Sequence, residues 1–284
     1  MNPVIKIDGL SFGYEFGDSV LKDIYLEISP GEMVALVGQN GAGKTTLVKH
    51  LIGLLRPPAG KVRVADLDVA NTRVSKLSRQ VGYVFQNPDH QIFHDTVQAE
   101  VAFGLNNLGL PREEVEPRVT AALSDVGLEH LANENPQRLS RGQRQRVALA
   151  SVLALRTPVI VLDEPTTGQD YQERKQIMAL VEQLNKAGHT IVFITHDMSL
   201  VAHYASRVVV LCQGQIILDG DTREVFRQTD KLAESLLLPP QVTVLANQLN
   251  EPLNTSVSPV ILSVDEMQEY LQRVREVKRN GAGD

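Results

Sequence analysis

Apolar positions along this chain keep two different rhythms. Over Val4 to Leu10, and again over Val20 to Ile28, they alternate with polar neighbours, and Gly17-Asp18 lies between. That pattern predicts two antiparallel strands at the edge of a sheet. Short runs rich in Val and Ile follow at Met33 to Val37, Val81 to Phe85, Val159 to Leu162, Thr190 to Ile194 and Arg207 to Cys212. Runs this brief and this apolar predict strands covered on both faces. Between them the period lengthens over Thr46 to Leu55 and Asp170 to Ala187, which predicts helices, and Lys61 to Val69 reads as a hairpin after the breakers Pro57, Pro58 and Gly60. Strands and helices in alternation predict a parallel sheet with helices on both faces.

From Thr96 to about Leu131 the pattern is helical throughout. Val97, Val101, Leu105 and Leu108 make one apolar face, and Val115, Val119, Leu123 and Val126 repeat it beyond Gly109 and Pro111. This block, with a helix over Arg141 to Ala154 capped by Ser140, predicts a helical subdomain at about 96–155, inserted between strands of the main sheet. The register changes again near Asp221. Thr222 to Arg227 predicts a short helix, Pro239-Pro240 starts a segment through Leu249, and Glu251 to Pro259 reads as polar linker. A last helix starts from a Ser263-to-Glu266 capping box and carries Val264, Met267, Leu271 and Val274 as a narrow stripe. That stripe predicts packing on the chain's own body or a subunit contact. The tail Asn280 to Asp284 reads as disordered. The predicted organisation is thus a main domain over 1–220 and a C-terminal extension over 221–284 that can serve dimerisation.

Composition narrows the partners. A formal charge of −6 and 43% hydrophobic residues describe a chain with a sizeable core and no global attraction to nucleic acid or anionic membrane. Cys212 is the only cysteine, which excludes an internal disulfide, and its apolar neighbours predict a small buried hydrophobe. No apolar run reaches the 18 or more residues that span a bilayer.

Between the predicted strand at Met33 and the helix near Gly43 runs Gly38-Gln39-Asn40-Gly41-Ala42-Gly43-Lys44-Thr45-Thr46, which holds the G-x-x-x-x-G-K-[ST] spacing. Glycines let backbone N–H groups curl around an anion, and the helix N-terminus adds its positive end. Lys44 then reaches the β- and γ-phosphates of a nucleotide, and the Thr45 hydroxyl takes a place on Mg²⁺. The strand at Val159 ends in Asp163-Glu164. Ligands gather at the carboxyl ends of parallel strands, so Asp163 is placed to hold Mg²⁺, leaving Glu164 as general base for a water. Gln86 and His196 end two further strands on the same edge; Gln86 is placed for Mg²⁺ or the attacking water and His196 for a γ-phosphate oxygen. His90 and His94 stand four apart without a carboxylate or cysteine to complete a metal set. Leu139-Ser140-Arg141-Gly142-Gln143 makes a second anion site at a helix N-terminus.

Taken together, the phosphate loop, Gln86, that pentapeptide, Asp163-Glu164, Thr167-Gly168-Gln169-Asp170 and His196 resemble ATP-binding-cassette (ABC) ATPase domains in order and spacing, over Val4 to about Gly220. The resemblance implies an α/β P-loop NTPase fold with an N-terminal antiparallel β subdomain. It also implies a head-to-tail dimer enclosing two ATP molecules and Mg²⁺. In such a dimer Tyr14 would stack on adenine, Ser140, Gly142 and Gln143 would touch the γ-phosphate held by the other subunit's Lys44 and Thr45, and Asp170 would pass contacts across the interface. Two positions depart from the family pattern: Arg141 replaces a usual glycine, and Gln169 a usual leucine.

A narrower likeness lies in Phe85-Gln86-Asn87-Pro88-Asp89-His90-Gln91-Ile92-Phe93, with Glu100 to Leu110 after it. This stretch is similar to the ATPase subunits of energy-coupling-factor (ECF) transporters, importers of vitamins and of nickel or cobalt. It implies a peripheral ATPase at the cytoplasmic face of the cell membrane, paired with an identical or related cassette and with integral membrane subunits. Asp89, Gln91 and Phe93 are the candidate contacts to those subunits, with local loop-to-helix packing as the alternative. The alternatives are the ATPase of another importer or exporter, or a soluble cassette protein acting on ribosomes or DNA. Against the latter stand a single cassette, no long heptad run and an acidic balance.

Overall fold

The computed structural model describes residues 2–14, 17–253 and 260–281, with the side chains of 250–253, 274 and 276–281 outside the description. Its strands are β1 Ile5–Phe12, β2 Leu21–Ile28, β3 Met33–Val37, β4 Ala59–Val64, β5 Leu67–Asp68, β6 Val81–Val84, β7 Val159–Asp163, β8 Thr190–Ile194, β9 Arg207–Cys212 and β10 Gln215–Asp221. Its helices are α1 Lys44–Leu51, α2 Val74–Leu77, α3 Val97–Asn107, α4 Arg112–Asp125, α5 Arg141–Leu155, α6 Tyr171–Lys186, α7 Met198–Tyr204, α8 Thr222–Arg227, α9 Thr229–Glu234, α10 Gln241–Leu253 and α11 Val264–Gly281.

Six strands form the main sheet in the order β10-β9-β3-β8-β7-β6. All neighbours pair in parallel except β10, which returns antiparallel along β9. β3, β7 and β8 are buried at every position, as strands covered on both faces must be. Because side chains alternate across a strand, the same strands feed two cores. Val34, Leu36, Val161 and Ile194 pack with Leu47, Val48 and Leu51 of α1 and with the second, antiparallel sheet β2-β1-β4-β5. Ala35, Leu162 and Phe193 face the other way, toward the α3, α4, α5 and α6 residues Val101, Leu123, Val147 and Ile177. One face of the main sheet is therefore covered by a helix together with a second sheet rather than by helices alone. Each fully buried Leu, Val or Ile contributes about 1.5–3 kcal/mol, which anchors both layers.

Helical periodicity set the insertion correctly. Val97, Val101, Leu105, Val115, Val119, Leu123 and Val126 are all buried, and Thr96 caps α3 by accepting from the Ala99 N–H at 3.3 Å. Gln215 to Asp221 forms a further strand that the sequence pattern does not announce, and two expectations need correction. α10 continues through Leu253, so the polar linker begins no earlier than residue 254, and 254–259 lie outside the described residues. Cys212 is half-buried rather than fully enclosed. On α11 only Met267 of the predicted stripe is enclosed, against Ala246 and Ile261; Val264 and Leu271 are exposed, and the Val274 side chain lies outside the described residues. Of the predicted disordered tail, residues 282–284 are likewise outside the description, while 280 and 281 continue α11.

Candidate nucleotide site

The loop after β3 is shaped by glycines that cannot be replaced without moving backbone. Gly38 has φ +152°, and a Cβ there would stand 2.2 Å from the Leu211 carbonyl oxygen on β9. Gly43, at φ +104°, would drive a Cβ to 2.8 Å from the Leu21 side chain. Gly41, by contrast, has open space around it. Lys44 begins α1, and its ammonium group donates to the Gly38 and Gln39 carbonyls of its own loop at 2.7 and 2.8 Å. Burial pushes its pKa down, while Glu164 and Asp163 nearby pull it up. A buried cation held only by weak carbonyl partners is poised for an anion that offers more charge.

Asp163, at the last position of β7, brings its carboxylate against this loop. Its Oδ2 accepts from the Thr45 hydroxyl at 3.3 Å and from the Tyr83 hydroxyl at 2.8 Å. Burial raises its pKa, opposed by those two hydrogen bonds and by Lys44. Burial and the same carboxylate push the Tyr83 phenol up, so it stays a donor. A hydroxyl and one carboxylate are hard oxygen donors, the set Mg²⁺ uses when substrate phosphates and water complete its shell. Among the described residues no three His, Cys, Asp or Glu side chains converge to form a protein-only cage. The residues present fit Mg²⁺ shared with a phosphate.

Glu164 follows with φ +47°, a conformation that costs a non-glycine residue about 1–3 kcal/mol, and its side chain meets partners from its own loop and from the loops after β6 and β8. Gln86 Nε2 donates to its Oε2 at 2.7 Å, the Thr167 hydroxyl donates to the same oxygen at 2.9 Å, and His196 Nδ1 lies 3.4 Å from Oε1. Gln86, His196 and Glu164 thus come from the ends of β6, β8 and β7 to one point. Tyr14 stands exposed at the rim, with its hydroxyl 3.1 Å from that of Thr46.

Ser140, Gly142, Gln143 and Asp170 do not join this cluster. Ser140 and Gln143 satisfy each other as a capping box on α5, at 3.2 and 2.9 Å, and Asp170 caps α6 by accepting the Glu173 N–H at 2.8 Å. Among the described residues none of the four shares a hydrogen bond with Lys44, Thr45, Asp163 or Glu164. Gln169 keeps its side-chain oxygen buried without a partner among the described residues. Of the three candidate membrane contacts, Gln91 is engaged at both ends, by the Phe85 N–H and the Ala148 carbonyl, and Asp89 pairs with Arg144 at 2.7 Å. Only Phe93 is presented to solvent without such ties, edge-on to Phe103 at 4.7 Å, on a loop tied down by buried Glu100, which accepts the Phe93 and His94 N–H groups at 2.9 Å. The sequence does not mark Tyr83, whose only signal is a hydroxyl inside an apolar strand, and it marks Thr167 as part of the Thr167-to-Asp170 motif but not as a partner of Glu164.

The family model described as ABC transporter matches residues 21–167, from β2 past the Asp163-Glu164 pair. The chain belongs to the ABC transporter family. Among its relatives, the energy-coupling factor transporter ATP-binding protein EcfA of Methanocaldococcus jannaschii is 45% identical over 279 residues, which is 98% of this chain and 96% of the relative. A solved structure of CbiO1 from Clostridium perfringens, part of the ABC transporter complex CbiONQ, superposes with a TM-score of 0.75 at 34% identity over 90% of this chain and all of that one. A dimeric ATP-binding cassette in a post-hydrolysis state bound to ADP and Pi gives 0.70 at 30% identity, over 77% of this chain and 98% of the other. Some relatives are longer: the chain spans 44–46% of three putative ABC transporter ATP-binding proteins to which it is 44–47% identical. This ABC chain has no described helix long and apolar enough to cross a membrane.

Proposed function

We propose that this chain is the ATP-hydrolysing, energy-coupling subunit of an ECF-type ABC importer for vitamins or transition-metal ions. It works at the cytoplasmic face of the membrane as one of two cassettes, identical or related. The convergence of Gln86, Thr167 and His196 on Glu164, beside Lys44, Thr45 and Asp163, carries this reading. The EcfA and CbiO relatives support the importer class.

In this reading, Lys44 and the N–H groups of the Gly38-to-Thr46 loop bind the β- and γ-phosphates, and Tyr14 stacks on the base. Thr45, Asp163 and Gln86 would hold Mg²⁺, which would supply charge to offset the negative charge developing on the phosphate oxygens. Glu164 takes the proton of the attacking water, Gln86 orients that water, and His196 donates to a γ-phosphate oxygen. Ser140, Gly142 and Gln143, which share no hydrogen bond with the Lys44 cluster of their own chain among the described residues, serve the nucleotide of the second cassette. Asp170 lies beside that contact. Closure of the two cassettes on ATP and their release after hydrolysis supply the mechanical step. Phe93 and its loop meet a membrane subunit, and the extension from residue 221 steadies the pair.

Affinity purification from native membranes tests this. Small integral membrane proteins and a second cassette should co-purify, and ATP turnover should vanish in Glu164→Gln. Ribosomal or DNA-repair partners would overturn the transport reading.

A further inference from the structure

The two polar segments that stand apart from the nucleotide cluster are packed reciprocally on each other. The Arg141 guanidinium lies on Gly168, where a Cβ would stand 2.8 Å from Nη1 and 3.0 Å from Cζ. In the opposite direction the Glu173 carboxylate lies on Gly142, where a Cβ would stand 2.2 Å from Oε1. Each segment carries a glycine whose missing side chain makes room for the other's charged one. Gly168 also needs its freedom, at φ +75°.

The residue before it, Thr167, donates its backbone N–H to the Glu164 carbonyl at 3.2 Å and its hydroxyl to Glu164 Oε2 at 2.9 Å. A continuous line of contacts therefore runs from the start of α5 through Arg141, Gly168 and Thr167 to Glu164. Among the described residues Arg141 makes no hydrogen bond or ion pair, and its exposed side chain lies over Gly168.

We infer that Arg141 is a positioning residue that holds the Gly168 turn and thereby aims the Glu164 carboxylate, so that a shift of α5 against the sheet changes the base of the same chain. The inference rests on the ATPase reading above. In a head-to-tail pair Ser140 serves one ATP and Glu164 the other, so this line of contacts joins the two sites within one chain.

Steady-state ATP hydrolysis by wild type, Arg141→Gly, Thr167→Val and the double variant tests it. Arg141→Gly leaves no buried partner unpaired, and its thermal midpoint should match wild type; Arg141→Gln, which keeps the stem but not the fork, should behave alike. Both should lower kcat roughly tenfold with KM within about twofold, because misaligned groups cost rate rather than ground-state binding. The double variant should be no slower than the slower single one. A wild-type kcat in Arg141→Gly and Arg141→Gln, or losses that multiply independently in the double variant, overturns the inference alone. A wild-type chain without ATP turnover overturns the ATPase reading and this inference together.

Discussion

Replacing Gly38 and Gly41 by alanine, one at a time, separates two costs that usually arrive together. Both glycines sit in the phosphate loop with φ in the left-handed half of the map, at +152° and +81°. A Cβ at Gly41 meets nothing within 4 Å, so Gly41→Ala should cost only the backbone term, about 1–2 kcal/mol. A Cβ at Gly38 would lie 2.2 Å from the Leu211 carbonyl, more than 1 Å inside ordinary contact, and β9 is held by β3 on one side and β10 on the other. Overpacking against backbone adds about 1–3 kcal/mol or more, giving roughly 2–5 kcal/mol for Gly38→Ala. At about 2–4 °C per kcal/mol, thermal unfolding of the nucleotide-free protein should drop by a few degrees for Gly41→Ala and by roughly twice that or more for Gly38→Ala. ATP binding should follow the same order, since the loop must move to admit the methyl group. Equal midpoints for the two variants would refute the claim that β9 shapes the phosphate cradle.

Other perturbations probe the carboxylates and the extension. Asp163 has its pKa raised by burial, so the folded state binds a proton more readily than the unfolded one, and this group's contribution to stability falls as pH rises from about 3.8 through the raised value. Asp163→Asn should therefore make the nucleotide-free protein more stable at neutral pH by denaturant titration while abolishing ATP turnover. Glu266 is the opposite case: its hydrogen bonds with Arg223 hold its pKa below 4.5, so the clamp between α8 and α11 is intact above that value and is lost as pH falls through the lowered one. The pair is half exposed and worth at most about 1 kcal/mol, and limited proteolysis should release α11 faster in Arg223→Ala at pH 7, with the difference vanishing in acid.

Much of this architecture was legible because the chain states it locally. The buried strands announce themselves as short Val- and Ile-rich runs, and α3 and α4 as apolar positions at helical spacing, because each has only one way to hide its apolar side. The strand β10 was missed although Gln213-Gly214, both at positive φ, form the two-residue turn that pairs it with β9; Ile216 to Asp221 lacks a clean alternation, being an edge strand seen by few neighbours. The loop glycines, Lys44 and Asp163-Glu164 could be read from spacing, since the chemistry of a phosphate fixes both residue type and distance. Tyr83 could not, and Thr167 could be read only as a member of the Thr167-to-Asp170 motif. Their hydroxyls act on carboxylates 80 and 3 residues away, partners that neither residue type announces. Gln91 read either as a membrane-subunit contact or as local packing, and it is a strut, because nothing in a polar side chain says whether its partner lies in a second subunit or in a neighbouring helix.

The two-cassette reading stands on where the Ser140 turn meets a phosphate, which a structure of Glu164→Gln with ATP and Mg²⁺ measures directly. Ser140 Oγ of one cassette should lie within hydrogen-bonding reach, about 2.5–3.2 Å, of a terminal phosphate oxygen held by Lys44 of the other. A Ser140 turn remote from every bound nucleotide, in every assembly the molecules form, would contradict it.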